Sequence, residues 1–65
     1  MESRDRIFDA AAREFAAKGF AGANMDRIAR AARLNKAMIY YHFAGKTALY
    51  RAILADMFEI GRAHV

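Results

Sequence analysis

Apolar residues recur at helical spacing in four separate segments of the chain. The first segment places four of them on one face: Ile7, Phe8, Ala11 and Phe15. This spacing predicts a helix over residues 3–18, with Ser3 as its N-cap and Gly19 as the residue that ends it. On the outer face Glu14 precedes Lys18 by four residues, which predicts a surface ion pair.

The second segment is a short helix that follows a loop at residues 20–23. Asn24 has the short polar side chain that caps a helix by accepting hydrogen bonds from the free amides of the first turn. The helix is expected to end at about Ala31 or Ala32. Its inward positions are Ile28, Ala29 and Ala32. The alanines are small enough to let another helix approach closely.

A break at residues 33–34 separates this helix from a third one, predicted over residues 36–42 with Asn35 as its cap. Its apolar anchors are Leu34, Ile39 and Phe43. Two short helices on either side of a tight turn have the construction of a helix-turn-helix. In that motif one helix braces across the DNA backbone and the other puts its amino-terminal side chains into the major groove. An ordinary helical hairpin is the alternative at this level.

A fourth helix is predicted to begin at Lys46, after Ala44-Gly45. Its apolar residues form one wide face: Leu49, Tyr50, Ile53, Leu54, Met57 and Phe58. Three short neighbours cannot cover a face of this width, so we expect a further packing partner, either a second subunit or another domain. The whole pattern predicts an all-α fold, a three-helix bundle with a helix-turn-helix plus the start of a longer fourth helix.

The positive charge is concentrated in the middle of the chain. The formal net charge is +4, and no acidic residue occurs between Arg27 and Ala55. Such a distribution suits a polyanion such as nucleic acid, although basic patches also meet membrane surfaces and acidic proteins. A basic helical module that binds a protein or a membrane surface is therefore the alternative to a DNA-binding domain.

Several classes of function lack the residues that they need. The 65 residues contain no cysteine, and the two histidines, His42 and His64, are too far apart to share a helical turn. No carboxylate stands near His42 in the sequence to orient it, so we expect no enzyme, no metal site and no cofactor. Neither a signal peptide nor an apolar run long enough to span a bilayer is evident, so we expect a soluble cytoplasmic protein.

The third helix is predicted to expose a surface that can touch both phosphates and bases. Its residues are Asn35, Lys36, Ala37, Met38, Tyr40, Tyr41 and His42. Tyrosine hydroxyls, a histidine and an ammonium at helix ends are common phosphate contacts. Lys36 can also reach guanine acceptors, and Ala37 or Met38 can press on a thymine methyl group. Taken singly, each tyrosine could instead be half-buried with a wet hydroxyl, and the histidine could merely finish the helix.

A set of short runs carries a family resemblance. In chain order they are Phe15, Gly19-Phe20, Ile28-Ala29-Arg30-Ala31-Ala32, Ile39-Tyr40-Tyr41-His42-Phe43, Lys46 and Leu49. Over residues 4–58 the chain closely resembles the amino-terminal domain of the TetR family of repressors. The Tyr-Tyr-His-Phe run with the following lysine and leucine is the most specific part. This resemblance implies a homeodomain-like fold and sequence-specific DNA binding.

The resemblance also implies roles for individual residues. The residues implied to face bases are Lys36, Ala37 and Met38. Those implied to hold phosphates are Tyr40, Tyr41, His42 and Lys46, and Asn24 is implied to touch the DNA backbone. Together with Asn35 they make up the predicted DNA-binding set. Arg33 stands where the family usually has a glycine in the turn, so either a left-handed conformation there carries a small strain or the turn differs slightly.

By the same resemblance, residues 1–58 are the DNA-binding domain of a longer protein. The implied partners are a palindromic double-stranded operator, a second copy of the full-length chain, and a small-molecule inducer held by a C-terminal ligand-binding and dimerisation domain that is absent here. No membrane partner is implied. Residues 59–65 break the alanine-rich amphipathic pattern and can be encoded by codons that resemble a widely used sequencing adapter read in frame. We therefore expect them to be a non-native tail.

Overall fold

The computed structural model describes the backbone of residues 2–63 and the side chains of residues 2–57. The described residues form four helices and no strand: α1 (Ser3–Gly22), α2 (Met25–Ala32), α3 (Lys36–His42) and α4 (Lys46–Ala63). The predicted all-α fold is confirmed. The second and third helices have the predicted bounds, and the fourth begins at the predicted residue.

The first helix differs from the prediction at both ends. Ser3 is not the N-cap but the first helical residue, and Glu2 is the cap, with no capping hydrogen bond from its side chain. At Gly19 the backbone bends with φ 71° and ψ 173°, a conformation open essentially to glycine alone. One further helical turn then occupies residues 20–22, where a loop was expected, and the amide of Ala23 closes it on the Gly19 carbonyl at 3.1 Å.

Both predicted asparagine caps are confirmed. The side-chain oxygen of Asn24 accepts hydrogen bonds from the amides of Asp26 at 2.7 Å and Arg27 at 3.2 Å. The side-chain oxygen of Asn35 accepts one from the Met38 amide at 2.9 Å. Each cap thereby satisfies amides that have no partner within their own helix, and so fixes where the helix begins.

The turn between α2 and α3 is closed by two backbone hydrogen bonds. Arg33 has φ 61° and ψ 41°, so of the two alternatives the turn takes the left-handed conformation. The amide of Leu34 donates to the Ala29 carbonyl at 2.9 Å, and that of Arg33 donates to the Arg30 carbonyl at 3.1 Å. This pair of bonds is a Schellman motif, which ends one helix and redirects the chain into the next.

Each helix contributes one fully buried large side chain to a shared core. These residues are Ile7, Ile28, Ile39 and Leu49. Most of the other buried residues of α1 and α2 are alanines: Ala10, Ala11, Ala29 and Ala32. Short side chains let the two helix axes come close, because helix separation depends on the side chains at the contact. The predicted inward faces are confirmed, although Phe8 and Leu34 are only half-buried.

The apolar face of α4 extends beyond the bundle. Leu49 and Ile53 are buried, whereas Leu54 is 37% exposed and Met57 is 63% exposed. Phe58, assigned to the same face, lies outside the described side chains. The backbone of α4 continues to Ala63, so the proposed tail over residues 59–65 starts inside this helix and ends beyond the described residues. In the part of the chain that the structure describes, no helical segment combines the length and the hydropathy that a bilayer span requires.

Candidate nucleic-acid interface

The third helix is anchored on one side and open on the other. Ile39 and the following Phe43 are buried in the core. On the opposite side Tyr40 is 49% exposed and Tyr41 is 81% exposed. The other predicted contact residues of this helix also reach the surface: Asn35, Lys36 and Ala37 are exposed, and Met38 and His42 are half-buried. The alternative in which the tyrosine is half-buried with a wet hydroxyl is therefore wrong for Tyr41.

Lys36 is held by a carboxylate from the neighbouring helix. Its Nζ lies 3.0 Å from Oδ1 of Asp26, which belongs to the first turn of α2. The hydrogen bond to Asp26 and then its negative charge raise the pKa of Lys36 above the usual 10.5, and desolvation only partly opposes them. Because both side chains are largely exposed, the pair adds little to stability. It fixes the position of a charge at the start of α3.

The rings at the end of α3 pack on one another. Tyr41 and His42 meet edge to face with ring centroids 5.1 Å apart. The ring of His42 is in turn 6.4 Å from that of Phe43 in the core. The ring of Tyr41, the most exposed tyrosine of the helix, is thus connected through His42 to the buried Phe43.

Lys46 has partners inside the protein that the sequence did not indicate. Its Nζ donates hydrogen bonds to the carbonyl oxygens of Phe20 at 2.8 Å and Ala23 at 3.3 Å. The same ammonium lies 4.5 Å from the centre of the Phe20 ring. It thus fastens the start of α4 to the end of α1. An ammonium has three hydrogens to donate, so the phosphate contact implied for Lys46 stays a prediction beside this structural role.

Asn24 lies in a network that also corrects the expectation for Glu14. The Glu14 carboxylate pairs not with Lys18 but with Nε of Arg27 at 2.8 Å, and it accepts from the Asn24 amide at 3.0 Å. Nη2 of Arg27 donates to the Gly22 carbonyl at 2.9 Å. Together these contacts clamp the connection between α1 and α2.

The contacts with Arg27 and Asn24 change the pKa of Glu14, whose side chain is only 13% exposed. Burial raises the pKa of this carboxyl. The hydrogen bonds from Arg27 and from the Asn24 amide, with the charges of Arg27 and Lys18, outweigh burial and hold the pKa below 4.5. Glu14 therefore carries its charge at neutral pH, and its contact with Arg27 is an ion pair at that pH.

These contacts bring the starting turns of three helices to one region of the surface. Asp26 of α2 touches Lys36 at the start of α3, and Lys46 at the start of α4 bonds to Ala23, the residue before Asn24. Helix starts carry free amides and a partial positive charge, which favour phosphate. Sequence spacing did not pair Asp26 with Lys36, because the two are ten positions apart and on different helices. Within the described residues no group of side chains could hold a metal ion.

Comparison with known proteins agrees with this geometry. Residues 7–53 match the family described as bacterial regulatory proteins, tetR family. The HTH-type transcriptional repressor SCO4008 of Streptomyces coelicolor is 48% identical over 52 residues, which are 80% of this chain and 27% of that protein. The HTH-type transcriptional regulator SrpR of Pseudomonas putida is 44% identical over 55 residues, which are 85% of this chain and 26% of that protein.

The fold has a solved counterpart as well. The crystal structure of a mutant of the protein HlyIIR matches with a TM-score of 0.80 and 33% sequence identity, covering 83% of this chain and 30% of that chain. The chain thus spans about a quarter to a third of the length of these relatives.

Proposed function

Because this chain belongs to the TetR family of bacterial regulatory proteins, we propose that it binds double-stranded DNA as the amino-terminal domain of a transcriptional repressor. One observation carries the proposal. The third helix is pinned by buried Ile39 while it exposes Lys36, Tyr40 and Tyr41 beside the starting turns of α2 and α4. A major-groove helix needs this combination of a fixed inner face and an open outer face.

In this proposal some of the exposed residues contact the bases and others contact the phosphates. Lys36 with Ala37 and Met38, at the start of α3, face the base edges, where an ammonium suits guanine acceptors and an apolar group suits the thymine methyl. Phosphate contacts hold the helix in register: the residues proposed to make them are Asn24, Asn35, Tyr40, Tyr41, His42 and Lys46. The stretch without acidic residues, from Arg27 to Ala55, adds long-range attraction to the DNA.

We extend the proposal to the whole protein through the greater length of the relatives. Two copies would place their α3 helices in successive major grooves of a palindromic operator, about 34 Å apart along the duplex. Further sequence would supply the dimer contacts and a pocket for a small inducer, which would alter the spacing and release the DNA. Such a repressor acts where the DNA lies, in the cytoplasm. We propose no catalytic role, since the relatives are named as regulators.

The test is fluorescence anisotropy of the 65-residue chain with a labelled duplex over a salt series. Tyr41→Phe removes only a hydroxyl from the most exposed ring of α3. We expect it to cost about 1 kcal/mol, or roughly five-fold in affinity, if that hydroxyl donates to phosphate. Lys36→Gln should weaken binding at low salt and lower the salt dependence.

Arg13→Gln is the matched control, because Arg13 is exposed on α1, pairs with Asp9 at 3.4 Å and is not among the residues proposed to contact DNA. It removes the same formal charge as Lys36→Gln and should change binding little. A folded chain that binds no duplex, but binds anionic vesicles at matched salt, would refute the proposal in favour of a membrane-surface module. Circular dichroism of each variant establishes that it is folded.

A further inference from the structure

Arg4 on α1 lies against the end of the third helix, a neighbour that sequence spacing did not indicate. Its guanidinium carbon is 5.2 Å from the centre of the Phe43 ring and 5.7 Å from that of the Phe8 ring. Both distances are in the range of cation–π contacts, in which a guanidinium lies against aromatic rings and can still donate hydrogen bonds through its N–H groups. Phe43 directly follows the last residue of α3, so the cation is fixed relative to that helix.

Beside this cation runs an open groove between α1 and α3, here called the N-terminal groove. It is lined by Glu2, Ser3, Arg4, Met38, Tyr41 and His42. Arg4 thus shares a surface with the exposed hydroxyl of Tyr41 and with the imidazole of His42. A guanidinium, a phenol and an imidazole are three donors that suit phosphate oxygens.

Among the described residues the Arg4 guanidinium makes no hydrogen bond or ion pair, in contrast to three other basic side chains. Lys36 pairs with Asp26, Arg27 pairs with Glu14, and Lys46 bonds to two carbonyl oxygens. Among the described side chains no carboxylate lies within 4.0 Å of the Arg4 guanidinium. Asp5 and Asp56 line a second groove that Arg4 also borders, and neither carboxylate forms an ion pair with Arg4.

The positive charge of Arg4 also opposes the negative end of the α3 helix dipole. Tyr41 and His42 stand at the carboxyl end of α3, where the helix carries a partial negative charge that disfavours phosphate. The positive charge of Arg4 offsets that field at the same groove. The carboxylate of Glu2 is the opposing charge within the groove.

We propose that Arg4 is a phosphate-binding residue of the DNA interface, and that the N-terminal groove holds a backbone phosphate of the duplex beside Tyr41 and His42. This inference rests on the proposed function and extends the docking surface from α3 onto α1. The phosphate belongs to the strand that passes the carboxyl end of the base-reading helix. Because the contact is to the backbone, its contribution is the same for every DNA sequence.

The test compares Arg4→Gln with Arg13→Gln in binding to a labelled duplex of random sequence, by anisotropy over a salt series. Both replacements remove one positive charge from α1. Loss of one phosphate contact lowers the slope of log affinity against log salt by about 0.9. Between 50 and 200 mM salt the wild-type chain should therefore lose roughly 3.5-fold more affinity than Arg4→Gln does. Arg13→Gln should keep the wild-type slope.

Two further variants keep the test independent of folding. Arg4→Lys retains the charge and should retain the wild-type slope. Glu2→Gln removes a carboxylate whose side chain makes no capping bond, and it should strengthen binding at low salt. Suppose that the wild-type chain binds the duplex, that Arg4→Gln keeps the wild-type slope, and that Glu2→Gln does not strengthen binding. This inference is then overturned, and the proposed function is not. A folded wild-type chain that binds no duplex overturns the proposed function with it.

Discussion

Replacement of Arg33 by glycine removes a steric conflict at the turn between α2 and α3. Arg33 is the only residue other than glycine with positive φ among those described, at 61°. Its side chain is exposed, and its hydrogen bond to α1 is made by its carbonyl oxygen, which accepts from Nη2 of Arg6 at 3.3 Å. Glycine keeps that carbonyl and both hydrogen bonds of the turn, so the substitution changes little except the local backbone energy.

The expected gain follows from two opposing effects. A left-handed residue with a Cβ atom costs about 1–2 kcal/mol, because Cβ approaches the following carbonyl oxygen. Glycine reduces this gain by about 0.5–1 kcal/mol, because it has more conformational freedom to lose when the chain folds. We therefore expect Arg33→Gly to raise the free energy of unfolding by about 0.5–1 kcal/mol, which corresponds to roughly 2–8 °C in Tm for a domain of this size.

The assay is thermal unfolding of the full chain, followed by circular dichroism at a helical wavelength. Arg30→Gly is the control, since it removes the same charge three residues earlier, from an exposed position inside α2 where φ is helical. There glycine lowers stability by about 1 kcal/mol through its poor helix propensity. Opposite shifts in Tm support the reasoning. A fall in Tm for Arg33→Gly, or equal shifts for both variants, would refute it.

Two further predictions concern the contacts that tie α1 to its neighbours. Glu14→Gln should lower Tm at neutral pH by breaking the ion pair with Arg27. Because the folded pKa of Glu14 lies below 4.5, the wild-type advantage should be complete above about that pH and should shrink as the pH falls further, which melting curves from pH 7 to pH 3 will show. Lys46→Met should lower the free energy of unfolding by about 1–3 kcal/mol, since two carbonyl oxygens lose a charged donor. Urea unfolding measures this, and an unchanged midpoint would contradict the structural role assigned to Lys46.

The sequence by itself determined the features that depend on neighbouring residues. The ends of α2 and α3 were predictable because Asn24 and Asn35 cap amides only two or three positions further on. The left-handed turn at Arg33 was predictable from the family resemblance, which places a glycine there. The buried faces followed from the helical period, since a side chain every three or four residues falls on the same side. Once Ile39 is assigned to the core, the same helical period places Tyr40 and Tyr41 on the exposed side of α3.

Only the tertiary structure decided which charged groups pair across helices. Helical spacing joined Glu14 to Lys18, yet the folded chain brings Arg27 closer, because the bend at Gly19 turns α2 back along α1. The partners of Lys46 lie 23 and 26 positions away. Arg4 of the first helix meets Phe43, which follows the third helix. Such pairs depend on the distance and angle at which helices cross, and these are set jointly by all the buried side chains, so no local pattern of residues encodes them.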